Sequence, residues 1–320
     1  MRLALSKQGS AILHNERSRP LRRKSEPKFE WPTLALLMAC YGVWALATTY
    51  LAALFLPAAV LVVAVTITLF SSLQHEALHG HPTPSGWLNE ALVFPALSVF
   101  IPYLRFRDLH LAHHRDTRLT DPYDDPESNF LDPAVWDRLA PPLRAVLLFN
   151  NTLLGRLLVG PMVSQVAFMR ADARAIRGGD LGVLWGWLWH LPALVLVGLW
   201  LEMVAQMPVW AYLLAAYMGL SLLKIRTFLE HRAHHRASAR TVVIEDRGPL
   251  ALMFLNNNLH VVHHMHPRVA WYRLPKIFAD NRARYLGRND AYHYRSYGEV
   301  FARYFLRAKD PVPHPLWRRD

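Results

Sequence analysis

The chain has 320 residues, 52% of them hydrophobic, a formal net charge of +12, 17 histidines and one cysteine. A lone Cys40 excludes an intrachain disulfide and a cysteine-ligated iron–sulfur cluster. The basic residues lie between long apolar runs, so the charge reads as membrane topology and attraction to anionic lipid, with no nucleic-acid partner.

Residues 1–32 form a basic tail, in which nothing resembles a short apolar stretch followed by a small-residue cleavage site; no cleaved signal peptide is expected. Residues 33–56 carry no charge, and after Pro57 a second run, AAVLVVAVTITLFSSLQ, leads into HEALH at 75–79. A helix of roughly 20 uncharged residues is about 30 Å long, enough to cross a bilayer. Residues 87–104 are broken by Asn89, Glu90, Pro95 and Pro102 and read as interfacial or re-entrant. HLAHH follows at 110–114, then an acidic stretch, LTDPYDDPES.

Residues 142–163 are apolar enough to suggest a fifth span. Arg144, Asn150, Asn151 and Arg156 argue against it, since an arginine at mid-bilayer costs at least about 2.5 kcal/mol. An amphipathic helix lying in the interface is expected instead. Two further apolar runs, 181–201 and 209–223, precede EHRAHH at 230–235, and HVVHH stands at 260–264. Lys and Arg number eight before residue 33, ten between 75 and 180, and eighteen from 224 onward, with none in the two short links between paired runs. Basic residues mark the cytoplasmic side, so both termini and the long middle segment should face the cytoplasm.

Positions i, i+3 and i+4 share one face of a helix. His75 with His79, His110 with His113 and His114, and His260 with His263 and His264 can therefore each aim at one centre. The topology puts all three runs at one membrane surface. Eight uncoordinated imidazoles would be costly to bury. A tetrahedral site uses three or four protein ligands, so this set suits two ions at four or five nitrogens each. Imidazole accepts zinc, copper, iron or nickel, and the ligand type does not choose among them. The expected fold is an all-α integral membrane protein with four transmembrane helices in two hairpins. A cytoplasmic or interfacial helical cap would carry a histidine-ligated di-metal site.

HEALH, HLAHH followed by RDTRLTDP, and NNNLHVVHHMHP followed by WYRLP resemble the three histidine boxes of the membrane fatty acid desaturase and hydroxylase family, over residues from about 60 to 285. The resemblance implies a non-haem di-iron centre on the cytoplasmic side. There dioxygen would be reduced by electrons from a separate donor, ferredoxin-like or other, and an unactivated C–H bond of a lipid or lipid-like substrate cleaved. By the same resemblance the ligands would be His75 and His79, then His110, His113 and His114, then His260, His263 and His264. His231 occupies the place of a further family histidine at the end of the fourth span and is expected as the ninth. His234 and His235 should touch the ligands from outside or face headgroups, while His81, His190 and His266 are incidental. Residues 33–285 would be the membrane domain, 286–320 a cytoplasmic extension, and the bacterial inner membrane the location.

Asp121, Asp124, Asp125 and Glu127 either orient ligand imidazoles or form a solvated loop. Asn257 and Asn258 hold water or outer contacts, or cap a helix. Trp185, Trp187, Trp189, Trp200 and Trp210 are expected as interface anchors and packing. Arg232, Arg236 and Arg240 would offer an acidic donor protein a docking face. The competing readings are a hydroxylase, ketolase or desaturase of a carotenoid or small amino-acid-derived metabolite, a non-enzymatic metal-binding membrane protein, and a membrane zinc hydrolase.

Overall fold

A computed structural model describes residues 29–115 and 119–317. The basic tail through residue 28 lies outside the described residues. Among those described, four helices are long and apolar enough to cross a membrane: Trp31–Leu54, Leu56–Leu78, Leu181–Met203 and Val209–Thr227. They fall where the apolar runs placed them. The first hairpin turns at Phe55, whose extended backbone ends one helix just before Pro57 opens the next, where a missing N–H costs nothing.

The second and fourth spans are the inner pair. Thr68 Oγ1 donates to the Gly219 carbonyl at 3.0 Å. A Cβ at Gly219 would stand 2.9 Å from the Ala64 carbonyl oxygen, so only glycine allows this approach. The first span packs against the second and is tied to the fourth by Trp44, whose indole N–H donates to the Tyr212 hydroxyl at 3.1 Å. Within the first span, Ala47–Leu51 is π-helical. The wider turn frees the Thr48 carbonyl, which accepts the Gln206 and Met207 N–H groups at 2.9 and 3.1 Å. The link between the second pair of spans is thereby anchored on the first. The third span is the most lipid-facing of the second hairpin, with 28% of its apolar window buried against 44% for the fourth.

Residues 142–163 do not span, and they are not a single helix either. Helix Pro141–Asn150 stops, Leu153–Leu158 starts, and Gly160–Arg177 follows. The break comes at Asn151, and Thr152 Oγ1 caps the next turn by accepting the Gly155 N–H at 3.0 Å. The two helices fold together so tightly that a Cβ on Gly155 would lie 1.8 Å from the Phe149 carbonyl oxygen. Arg156 is buried in this corner and donates to Asn129 Oδ1 at 2.6 Å and to the Asn150 carbonyl at 2.9 Å. Leu143, Val146, Leu148, Phe149 and Leu158 stay exposed, an apolar face without a protein partner among the described residues.

Beyond the fourth span the chain forms short helices and one small parallel pair, Val243–Ile244 against His293–Tyr294. Tyr292, Tyr294, Tyr297 and Val300 share a core with Ile225, Phe228 and Leu229. That core locks the C-terminal part onto the end of the fourth span.

Candidate metal centre

Each histidine cluster is placed by a different local device. His75 lies in the last turn of the second span and His79 is its C-cap. His110, His113 and His114 ride on helix Tyr103–Arg115. Arg105, in the first turn of that helix, makes two 2.8 Å bonds to Asp172, and Trp187 of the third span donates to the same carboxylate at 2.8 Å. Helix His260–Met265 is preceded by Leu255 and Asn256, both left-handed with φ of 50° and 56°. That turn aims Asn258 back at the Ile244 carbonyl, 2.6 Å away, and starts the helix with His260 and His263 buried. His231 follows the fourth span in irregular chain, bridged to Thr241.

These elements bring all nine histidines together in two groups. One holds His75, His79, His110, His114 and His263; the other holds His113, His231, His260 and His264; within each, one potential ligand atom per residue lies within 4.8 Å of every other. In the first group the Nε2 atoms of His110 and His114, and of His114 and His263, are 3.0 Å apart. In the second, His231 Nε2 is 2.9 Å from that of His113 and 3.2 Å from that of His260, and His260 and His264 stand 3.0 Å apart. For metal–nitrogen bonds of about 2.1 Å, neighbours at a right angle are ~3.0 Å apart and tetrahedral neighbours ~3.4 Å. The spacing suits imidazoles crowded around a shared cation at more than four-fold coordination. His75 and His79 Nε2 are buried with no hydrogen-bond partner. An all-imidazole, buried donor set with orphaned nitrogens fits a pair of first-row transition cations.

Carboxylates set the ring orientations. His110 Nδ1 donates to Glu127 at 2.8 Å and His113 Nδ1 to Asp125 at 2.7 Å, which leaves each Nε2 with the lone pair a metal needs. Asp125 is itself held by the N–H groups of Thr120 at 2.7 Å and Glu127 at 3.0 Å. The left-handed Thr120, φ 73°, is what turns its N–H toward that carboxylate. His260 Nδ1 is 3.1 Å from Asn257 Oδ1, and Asn257 in turn donates to Glu230 at 3.2 Å.

Burial, reinforced by the neighbouring rings, pushes the pKa of His79, His231, His260, His263 and His264 well down and that of His114 to about 3. These rings are therefore neutral, the ligating form. His113 is the exception: burial opposes its charge, but Glu127 and Asp125 outweigh it and raise the ring to about 9. Burial also disfavours the Glu127 charge, yet the adjacent His110 and His113 hold its carboxyl well below the usual range.

Other expectations divide. Asp125 and Glu127 are the orienting carboxylates, whereas Asp121 caps a turn by accepting the Tyr123 and Asp124 N–H groups at 2.8 and 2.9 Å. Asn257 serves the site; Asn258 serves the backbone. His81 bonds Glu30 at 2.9 Å, His190 the Val99 carbonyl at 2.8 Å and His266 the Tyr285 hydroxyl at 3.1 Å, all outside both groups. His234 lies 3.3 Å from Asp290 and His235 is exposed, so neither backs a clustered histidine. Arg236 is paired with Asp290 at 2.6 Å, and Arg240 donates to the Leu119 and His234 carbonyls at 2.5 and 2.8 Å. Trp185, Trp189 and Trp210 point outward, but Trp187 and Trp200 are spent on Asp172 and Thr48.

Sequence reasoning missed Glu76, Glu230, Asp172 and Lys309. Glu76, inside HEALH, accepts the Trp271 N–H at 3.1 Å and so joins the first histidine run to WYRLP. Glu230 stands four residues after Arg226 and pairs with it at 2.8 Å, a spacing that could have flagged it. Nothing local marked Asp172 or Lys309.

Comparison with curated proteins gives no match. The fatty acid desaturase family model matches residues 49–296, well over half of the chain, and the protein belongs to that family of desaturase-type oxidoreductases.

Proposed function

We propose that the protein is an oxygen-dependent membrane desaturase of a fatty acyl or similar lipid-like substrate, working through two irons with electrons from a separate donor protein, ferredoxin-like or other. His75, His79, His110, His114 and His263 would hold one ion, and His113, His231, His260 and His264 the other. The observation that carries this reading is the convergence of nine imidazoles into two groups at one end of the second and fourth spans, in a chain of this family.

Bound irons would supply the redox chemistry that activates dioxygen toward an unactivated C–H bond. The chain's own residues supply orientation, charge and dryness. Asp125 and Glu127 hold the His113 and His110 rings with Nε2 turned inward. The Arg226–Glu230–Asn257 relay does the same for His260. Burial of His75, His110, His113, His260 and His263 keeps water from the centre. In the overall reaction the substrate gives up two hydrogens from adjacent carbons. The donor side adds two electrons and two protons, and dioxygen leaves as two waters. A centre at the end of the spans is at the depth where an acyl chain can be presented from the bilayer.

We take residues 33–285 as the catalytic domain and 286–320 as an extension packed on it. Both termini and the loop between the hairpins would lie in the cytoplasm, at a bacterial inner membrane. Reporter fusions after residues 57, 170, 205 and 320 should read outside, inside, outside, inside; an outside reading after 170 would overturn the topology.

The function itself is tested by mass spectrometry of lipid and polar extracts from cells expressing the chain or its His263→Ala variant. Loss of about two mass units on an acyl chain, absent in the variant, is expected. A gain of about sixteen would make it a hydroxylase, and a change confined to carotenoids or small metabolites would replace the substrate. Purified protein that holds zinc alone after iron loading would overturn the di-iron reading.

A further inference from the structure

Three of the clustered rings have a protein partner at Nδ1: Glu127 for His110, Asp125 for His113 and Asn257 for His260. His231 differs. Its Nδ1 is buried and has no hydrogen-bond partner. A ring that presents Nε2 to a metal carries its proton on Nδ1, and a buried N–H left unpaired is unfavourable. Something should sit behind it.

His231 also lines a cavity of about 20 Å³, together with Asp125, Glu127, Arg156, Lys309 and Asp310. One water needs roughly 10–15 Å³ by the same measure and two to four polar partners. The volume suits one water, and Asp125, Glu127, Arg156, Lys309 and Asp310 bring polar side chains to the lining. We propose that a single buried water fills this cavity and orients His231 through Nδ1, and that Lys309 is the positioning residue that closes the cavity. The inference rests on the proposed role of His231 as a metal ligand.

Lys309 reaches back across 78 residues to donate its ammonium to the His231 carbonyl. Its charge is balanced by Asp310 at 2.9 Å, and its side chain is only 8% exposed. Its own N–H donates to the Asn151 carbonyl at 3.1 Å, while the Asn151 amide donates to the Asp310 carbonyl. The segment is thus clamped to the break between the two interfacial helices. A lysine beside a site that collects cations weakens that site by repulsion. Its burial here is accounted for by what it holds, the backbone of His231 and a wall of the cavity.

The test uses the full-length protein loaded with ferrous iron, or with zinc as a redox-silent probe, and follows ion content during competition with a chelator. Wild type should hold two ions. Lys309→Met should release one of them about 10–100-fold more readily while keeping the other, the range seen when an outer partner of a metal ligand is lost. Lys309→Arg, which keeps a charged donor, should restore much of the retention. Lys276→Met, removing an exposed pair with Asp280 that touches no clustered histidine, should match wild type. Two ions retained equally in wild type and Lys309→Met overturns the proposal. Fewer than two in wild type overturns the di-metal reading first, and the inference with it. Should Lys309→Met fail to fold, a structure of the metal-loaded wild type decides: water density within hydrogen-bond reach of His231 Nδ1 supports the proposal, and an empty cavity overturns it.

Discussion

His113 and His231, 118 residues apart in the chain, face each other through Nε2 atoms 2.9 Å apart. That pairing puts the first histidine of EHRAHH into the second group and leaves the other two outside it. His231→Ala should lower the metal content from two ions toward one. His234→Ala and His235→Ala should each retain two. Elemental analysis of the three purified variants checks this, and a His234→Ala variant that loses an ion would show the wrong histidine had been chosen.

Asp125 and Glu127 stand behind the His113 and His110 rings at 2.7 and 2.8 Å, so their removal should weaken the site without emptying it. Asp125→Asn and Glu127→Gln are each expected to cost about 10–100-fold in metal affinity. Asp125→Asn should also lower the pKa of His113 in the metal-free protein, since that carboxylate helps to raise it to about 9. Histidine NMR of the apo form reads the second effect directly.

The pH dependence follows from rings held neutral. The pKa values of His79, His114, His231, His260, His263 and His264 are all lowered from 6.5 in the folded chain. The unfolded chain therefore takes up protons below about 6.5 that the native site refuses, and stability falls as pH falls through that value. Each such group contributes up to about 1.4 kcal/mol per pH unit. Protons also compete with the ions for the same lone pairs. In the folded site that competition sets in only near the lowered values, about 3 for His114, so metal retention after desalting should be full at pH 8 and persist to pH 5 while the chain stays folded; loss of both ions near pH 6.5 from folded protein would contradict the rings' being held neutral.

Gly219 lets the second and fourth spans meet at backbone distance, and the atom a side chain would strike is the rigid Ala64 carbonyl. Gly219→Val should destabilise the protein in detergent by about 1–3 kcal/mol through forced separation of the spans. Gly198→Ala, at a position where an added Cβ meets nothing within 4 Å, should be close to neutral. Thermal unfolding of the two variants side by side is the measurement.

Arg105 and Asp172 form a buried two-bond ion pair that fixes the second-box helix against the third span. Arg105→Ala leaves the Asp172 charge stranded and should cost about 3–5 kcal/mol. Replacing both by apolar residues should recover part of that loss. The single variant should also lose metal, since the helix bearing His110, His113 and His114 is released; normal ion content would mean that this helix is held by other contacts.

Much of this molecule was legible because its signals are local. Uncharged runs of helical length announce spans, since a bilayer of fixed thickness demands them. Histidines at i, i+3 and i+4 announce a shared face. The stretch at 142–163 was set apart from the spans by its arginines, which a bilayer interior does not accept. Its break at Asn151 was less visible, because a corner set by Asn151, Thr152 and Gly155 depends on how closely the pieces on either side fold together.

By itself the sequence determined the four spans, the three histidine runs and the family. Those features repeat at the period of one helix or the length of one membrane crossing. Only the tertiary structure decided which histidine of EHRAHH joins the centre, how nine rings divide into five and four, and which acids stand behind them. These are outcomes of long-range packing. His113 meets His231 through the end of the fourth span, Asp125 reaches His113 through the strained turn at Thr120, and Lys309 donates to the His231 carbonyl from 78 residues away. No residue spacing encodes such meetings, because they depend on where whole helices stop and on which irregular segments fill the gaps between them.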